Sequence, residues 1–176
     1  QMRVSAKADY AARAAAELST ATDKPIKADR IAEAQDIPAK FLETILLELK
    51  HAGIVRSQRG PDGGYALARP AEDNSVADVI RAVDGPLANV RGDRPENMEY
   101  HGAAEPLTDV WIAIRAALRE ILETTTLANL RDGDLPARVA ELADDPEAWV
   151  SLGRIRGAAP TGGRKPAQPK VSNAKS

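Results

Sequence analysis

Residues 37–70 read IPAKFLETILLELKHAGIVRSQRGPDGGYALARP, and the fold turns on this stretch. Pro38 suits the first position of a helix, because its ring pre-sets φ and its missing N–H would be unpaired there. Leu42, Ile45, Leu46 and Leu49 stand at i, i+3, i+4 and i+7 and predict one apolar helical stripe. Gly53 follows where a left-handed cap ends a helix. Two short strand-like runs come next, Ile54 to Gln58 and Tyr65 to Ala68, separated by Arg59-Gly60-Pro61-Asp62-Gly63-Gly64. Apart from its arginine, that connection is turn chemistry. A helix joined to a β-ribbon with a cationic tip predicts the working end of a winged helix-turn-helix. The helix would enter a major groove, and the tip would touch the DNA backbone or the minor groove.

Working upstream, Ser5 can cap a helix running to about Leu18, with Tyr10, Ala14 and Leu18 every four residues and Ala11 and Ala15 beside them. Such small contacts allow close packing. Asp9 sits near the positive end of that helix dipole, where a carboxylate is favourable. A second, short helix is expected from about Lys27 to Gln35, with Ile26, Ile31 and Ala32 as apolar contacts, and Asp36-Ile37 turns the chain into the Pro38 helix. Two helices joined by a three- or four-residue turn match a helix-turn-helix. Many helical hairpins share that pattern, and the ribbon that follows sets this one apart.

The expected DNA-contacting set starts at the Pro38 helix, whose exposed leading face holds Ala39, Lys40, Glu43 and Thr44. The first residues of a recognition helix reach base edges. Lys40 suits guanine acceptors or a phosphate, Glu43 can accept from cytosine N4, and Thr44 can bond an edge or touch a thymine methyl. The alternative is a solvated face carrying ordinary charges. Arg59 is the sharper candidate, since a guanidinium can enter a narrow minor groove and feel its enhanced negative potential. Gly60, Gly63 and Gly64 permit unusual φ and close approach to a backbone. Their spacing matches neither a P-loop nor a dinucleotide fingerprint. Lys27 and Arg56 complete the set.

Composition narrows the classes. At 176 residues with no cysteine, the chain is long enough for a real core and excludes disulfides, thiolate nucleophiles and sulfur-built metal sites. No apolar run approaches the ~20 residues that span a bilayer, so no membrane partner is expected, and the absence of cysteine fits a cytoplasmic protein. Gln1 before Met2 reads as a processing remnant, with Met2 the expected natural start. Net charge is −2, distributed as +2 over residues 2–70, −10 over 71–153 and +6 from Arg154 onward. A DNA-binding head needs phosphate contacts on one face rather than an overall basic protein.

Downstream, Ser75 with Asp78 resembles a capping box, and Val76, Val79, Ile80 and Val83 form the stripe of a helix that Gly85 ends. Residues 86–105 read as a long loop with little periodicity, of the kind that is often functional. From about Pro106 a helix resumes, and Leu107, Trp111, Ile114, Leu118 and Ile121 step by 4, 3, 4, 3, a two-heptad seam that suits a partner helix. The same seam would serve an intramolecular core helix. Met98 and Tyr100 beside Trp111 are the candidate lining of an effector pocket. Residues 134–153 suggest two short helices, the second starting at Asp145-Pro146-Glu147, and residues 154–176 read as a disordered basic tail.

The run Phe41-Leu42-Glu43, Ile45-Leu46, Ala52-Gly53-Ile54-Val55, Arg59-Gly60, Gly63-Gly64-Tyr65 and Leu67-Ala68-Arg69-Pro70 resembles the Rrf-two family of bacterial winged-helix regulators. Met2-Arg3-Val4-Ser5, Asp9-Tyr10-Ala11 and residues 76–85 (VADVIRAVDG) resemble it too. Relatives include iron–sulfur, nitric-oxide and cysteine-metabolism regulators. The resemblance covers about residues 2–130 and implies a homodimer, palindromic operator DNA and usually repression. In its sensor members the loop equivalent to residues 86–105 carries cluster-holding cysteines, whereas none stands here. Asp9 matches a position that supplies a carboxylate ligand in some members, but one carboxylate cannot hold a cluster, so no metal and no cofactor is expected.

The expected fold is mainly α with a small β-hairpin wing, a winged helix-turn-helix domain plus a long dimerisation helix. Residues 2–85 form the DNA-binding domain, 86–105 the sensor-loop equivalent, 106–153 the dimerisation helix and short C-terminal helices, and 154–176 the tail. The expected function is sequence-specific transcriptional regulation by a homodimer on double-stranded operator DNA, in response to a signal that is not an iron–sulfur cluster, such as a small-molecule effector. Two rivals are a nonspecific or architectural nucleic-acid-binding protein that uses the tail, and an enzyme reusing the head. Against the enzyme, there is no cysteine, there are only two histidines, and no nucleophile–base pair is clustered.

Overall fold

A computed structural model describes residues 4–21, 24–151 and 161–162. It divides into two compact units, residues 1–136 and 137–176; the boundary falls inside the segment 106–153 that the sequence groups together.

The first unit is built around α1 (Ala6–Leu18). Ser5 caps it, its hydroxyl accepting from the Ala8 N–H at 2.9 Å. Ala8, Ala11, Ala14, Ala15 and Leu18 are buried, and four alanines in that stripe let neighbouring backbones come close. Against α1 pack α2 (Ala28–Gln35), α3 (Ala39–His51), α4 (Val76–Asp84) and α6 (Leu127–Asp132). Their shared core adds Ile31, Leu42, Ile45, Leu46, Leu49, Ile54, Val79, Val83 and Leu127. Burying a side chain of this size contributes ~1.5–3 kcal/mol. Polar links pin the helices further. The Arg13 guanidinium lies over the Tyr10 ring at 4.7 Å, pairs with Asp9 at 2.8 Å and donates to the Gln35 carbonyl, capping the end of α2. Lys7 donates to the Val83 carbonyl at 2.8 Å and pairs with Glu48 at 2.9 Å, joining α1 to α4 and α3.

The turn between α2 and α3 is Asp36-Ile37-Pro38, with Asp36 left-handed (φ 49°) and Ile37 buried. Pro38 is the N-cap rather than the first helical residue: its ψ of 127° is extended, and its carbonyl accepts from the Phe41 and Leu42 N–H groups. A residue with that ψ can open a helix but cannot lie in its first turn. At the other end, the Gly53 N–H reaches the Lys50 carbonyl and the Ile54 N–H the Leu49 carbonyl, both at 3.0 Å, with Gly53 at φ 73°. This is a Schellman closure, sealed by the buried pair Leu49 and Ile54.

The ribbon is β1 (Val55–Gln58) paired antiparallel with β2 (Gly64–Leu67), in register Val55 to Leu67 and Gln58 to Gly64. Both strands are one residue off the expected runs. Ile26 stands in the place of a third strand, exchanging two 2.8 Å hydrogen bonds with Tyr65.

After the ribbon, Asn74 is fully buried and satisfied; its side chain bonds Arg69 and the Pro70 carbonyl, and its own carbonyl accepts from the Leu127 N–H. The Ser75–Asp78 capping box forms as read, each bond 3.1 Å, and opens α4. Residues 86–105 are more ordered than a plain loop. They hold single 3-10 turns at Pro95–Asn97 and Gly102–Ala104 and a bridge between Val90 and Asp93. Their order comes from side chains, which periodicity does not report: Asp93 accepts from Asn97 and the Arg94 N–H, and Glu96 pairs with Arg115 at 2.6 Å. Then α5 runs Leu107–Leu122. The sequence reading does not anticipate α6, whose six residues are too few to show a period; its signal is the Thr126–Asn129 capping box ahead of Gly133.

In the second unit α7 spans Ala137–Asp144. Where a further helix is expected, Pro146–Trp149 makes one 3-10 turn, because the chain goes straight on into β3 (Val150–Ser151), paired antiparallel with β4 (Thr161–Gly162). The basic tail otherwise lies outside the described residues, as do Met2 and Arg3.

Candidate nucleic-acid interface

On α3 the buried stripe faces the core, which turns Ala39, Lys40, Glu43 and Thr44 to solvent with Pro38. Lys40 and Glu43 are three apart on one face yet form no ion pair with each other, and neither has another ionic partner among the described residues. Shifting the buried stripe back by two residues gives 40, 43, 44 and 47. The outward face therefore continues through Leu47, 52% exposed, with His51 exposed at the next turn. Leu47 is absent from the sequence-derived set because its hydrophobicity points to the core; the offset spacing is the signal that finds it. Phe41, 60% exposed, stands beside that face with its ring 6.2 Å from Tyr10.

The ribbon projects Arg59 at its tip, exposed and free of any ionic partner among the described residues. The tip closes through the Gly63 N–H on the Gly60 carbonyl at 2.9 Å. Glycine is required at two places. A Cβ on Gly63 would lie 2.4 Å from the Gln58 carbonyl oxygen, and one on Gly64 2.5 Å from that of Ile26. The second contact seats the ribbon against the residues that open α2. An open groove results, lined by Lys27, Ser57, Arg59 and Gly60 among others, which brings Lys27 and Arg59 to one surface. Lys27 is also the N-cap of α2 with no side-chain cap, so free backbone N–H groups and the positive helix end add to its charge.

Arg56 falls elsewhere. Strand alternation puts Val55 in the core and Ser57 toward α3, where its hydroxyl accepts from Lys50 at 2.8 Å. Arg56 points the other way, into a separate groove shared with Lys24, Arg69 and Arg131.

Of the other predicted residues, Leu107, Trp111, Ile114, Leu118 and Ile121 lie along α5, and no residue of that helix is buried. Leu118 joins Leu122 in a cavity with Val4, Ala8 and Ile80. Trp111 donates to the Tyr100 hydroxyl at 3.0 Å, and Met98 contacts Arg91 through its sulfur. The Glu96 carboxyl is held below the ordinary carboxylate range, first by its own backbone N–H and then by Arg115.

A family model described as "Rrf2: Iron-dependent Transcriptional regulator" matches residues 4–133. The chain belongs to the Rrf2 family. It is 51% identical over 151 residues to Rv1287 of Mycobacterium tuberculosis, which carries the name of an HTH-type transcriptional regulator; the match covers 85% of this chain and 94% of that protein. Among solved structures, CymR, the global cysteine regulator of B. subtilis, aligns with TM-score 0.64 at 30% identity, over 76% of this chain and 98% of CymR. IscR of T. potens aligns with TM-score 0.61 at 30% identity, over 76% and 89%. The α2–α3 pair and ribbon are thus the winged helix of an Rrf2 DNA-binding transcriptional regulator; the family is one of regulators, not enzymes. The family description implies iron, and the residues here do not fit it. The chain has no cysteine, Asp9 is committed to Arg13, and no group of three or more His, Asp or Glu able to hold a metal occurs among the described residues.

Proposed function

We propose that this Rrf2 protein is a cytoplasmic repressor that binds palindromic operator DNA as a homodimer and is released by a signal other than an iron–sulfur cluster. Each head, residues 2–85, lays α3 in a major groove. Pro38, Ala39, Lys40, Glu43 and Thr44 lead, and Leu47 offers an apolar contact to a thymine methyl. Arg59 enters the adjacent minor groove, while Gly60, Gly63 and Gly64 hold the tip narrow and Lys27 takes a backbone phosphate. Arg56 meets the phosphates that flank the ribbon.

The observation that carries the dimer is α5. It presents Leu107, Trp111, Ile114, Leu118 and Ile121 on a heptad seam, yet its own chain leaves Leu107 exposed and the other four only half-buried. A second copy covers such a face, and the twofold axis sets the two α3 helices on the two half-sites. The signal is read where residues 86–105, which carry Met98 and Tyr100, meet α5, which carries Trp111. Selecting binding sites from random DNA tests the reading. An inverted repeat whose full site binds one dimer is expected; a single asymmetric site bound by a monomer would contradict it. A reporter placed behind the selected operator should rise when the protein is removed.

A further inference from the structure

The segment of residues 86–105, α4 and α5 together wall a half-open cleft of about 470 Å3, within the size range of small-molecule sites. Four arginines line it: Arg81 from α4, Arg94 from the loop, and Arg115 and Arg119 from α5. They come from the acidic part of the chain. Residues 71–153 hold seven arginines, no lysine and seventeen acids, so more than half of that region's cations converge on one cleft. Their distances in sequence hide this, and only the fold assembles it.

The carboxylates that answer them are fewer. Glu96 pairs with Arg115. Glu123 is shared, bonded to Arg81 and 3.9 Å from Arg119. Asp78 stands 3.8 Å from Arg81. Arg94 forms no ion pair within 4 Å among the described residues, and its charge acts at longer range on Asp93 and Glu96. Within 4 Å, four guanidiniums thus meet three carboxylates, and Glu96 is the one carboxylate in the lining itself. Guanidinium presents forked donors that match carboxylate and phosphate oxygens two at a time. A gathering of four around a cleft leaves donors turned inward for such a group.

We propose that this cleft binds a small oxyanion of two or more charges, a metabolite bearing phosphate or carboxylate groups, as the regulator's effector. The placement gives binding a consequence. Arg81 belongs to α4, which is tied to the head through Ser5 on Asp84 and Lys7 on the Val83 carbonyl. Arg115 and Arg119 belong to α5, beside the seam residues Ile114 and Leu118. An anion bridging the two draws α4 and α5 together and resets the distance between the heads. The effector role rests on the proposed dimeric operator reading; the anion site itself does not.

The test is calorimetric titration of the full chain with inorganic pyrophosphate and with citrate at constant ionic strength, beside operator binding with and without each. Saturable binding of one probe is expected, weakened roughly tenfold or more by Arg94→Ala and by Arg119→Ala and unchanged by Arg59→Ala, with a shift in operator affinity at saturation. Thermal unfolding of both cleft variants should match the parent, which shows that they fold. No saturable binding, or binding abolished by Arg59→Ala and kept by the cleft variants, overturns the site. Binding at the cleft that leaves operator affinity unchanged overturns the effector role. Failure of the anion-free protein to select any operator would instead sink the repressor reading and leave the anion site standing.

Discussion

Helices α3 and α5 look alike in sequence and end differently. Each carries an apolar stripe at helical spacing. On α3 that stripe, Leu42, Ile45, Leu46 and Leu49, is 0–1% exposed. On α5, sixteen residues long, the stripe is at most half-buried. Periodicity tells which face of a helix is apolar and not what covers it. For α3 the cover is α1 and the base of the ribbon, so the opposite face is fixed in space and free to read DNA. For α5 the chain supplies no sufficient cover, and the proposed dimer provides it.

The largest effect that separates the two is expected on α5. Ile114→Glu puts a charge into the seam and should leave a folded monomer whose operator affinity falls roughly 10²–10⁴-fold, the avidity of the second head being lost. Sedimentation and fluorescence anisotropy read the two parts. A dimer that survives the change would place the interface elsewhere. The matching change on α3, Leu46→Ala, should act on folding instead. It leaves a cavity in a closed core and should cost about 2–5 kcal/mol, seen as a lower urea midpoint at matched protein concentration and, equally, in the Ile114→Glu background. At the tip, Arg59→Ala should weaken specific operator binding by about 1–3 kcal/mol with dimer and stability intact. Smallest is Ser75→Ala, which removes the α4 cap and should cost ~1 kcal/mol of stability with little change in sequence preference.

Much of this was legible in the residues themselves. The α3 stripe, the Gly53 closure, the Ser5 and Ser75 caps and the glycine-built ribbon are local, and each carries its cause within a few positions. The leading face of α3 follows from the stripe by subtraction, though Leu47 escapes it because an apolar residue reads as core. What stayed hidden depends on contacts between distant positions. Seating Gly64 on Ile26 puts Lys27 beside Arg59 and turns Arg56 away, and no spacing rule reports that. The order in residues 86–105 comes from Asp93 and Glu96 acting as caps and clamps rather than from a repeat. Helix α6 was too short to show a period, and Pro146–Trp149 carried a sound start signal with no room to continue. The arginine cleft is the extreme case, its four members spread over 39 positions.

The central claim is that a second copy covers α5 so that two heads act together. Sedimentation equilibrium of the full chain, at the concentration that saturates its selected operator, tests this most directly. The account predicts a species of twice the 18.8 kDa protomer, free and on the DNA. A species of one protomer mass that still saturates the full site would contradict it.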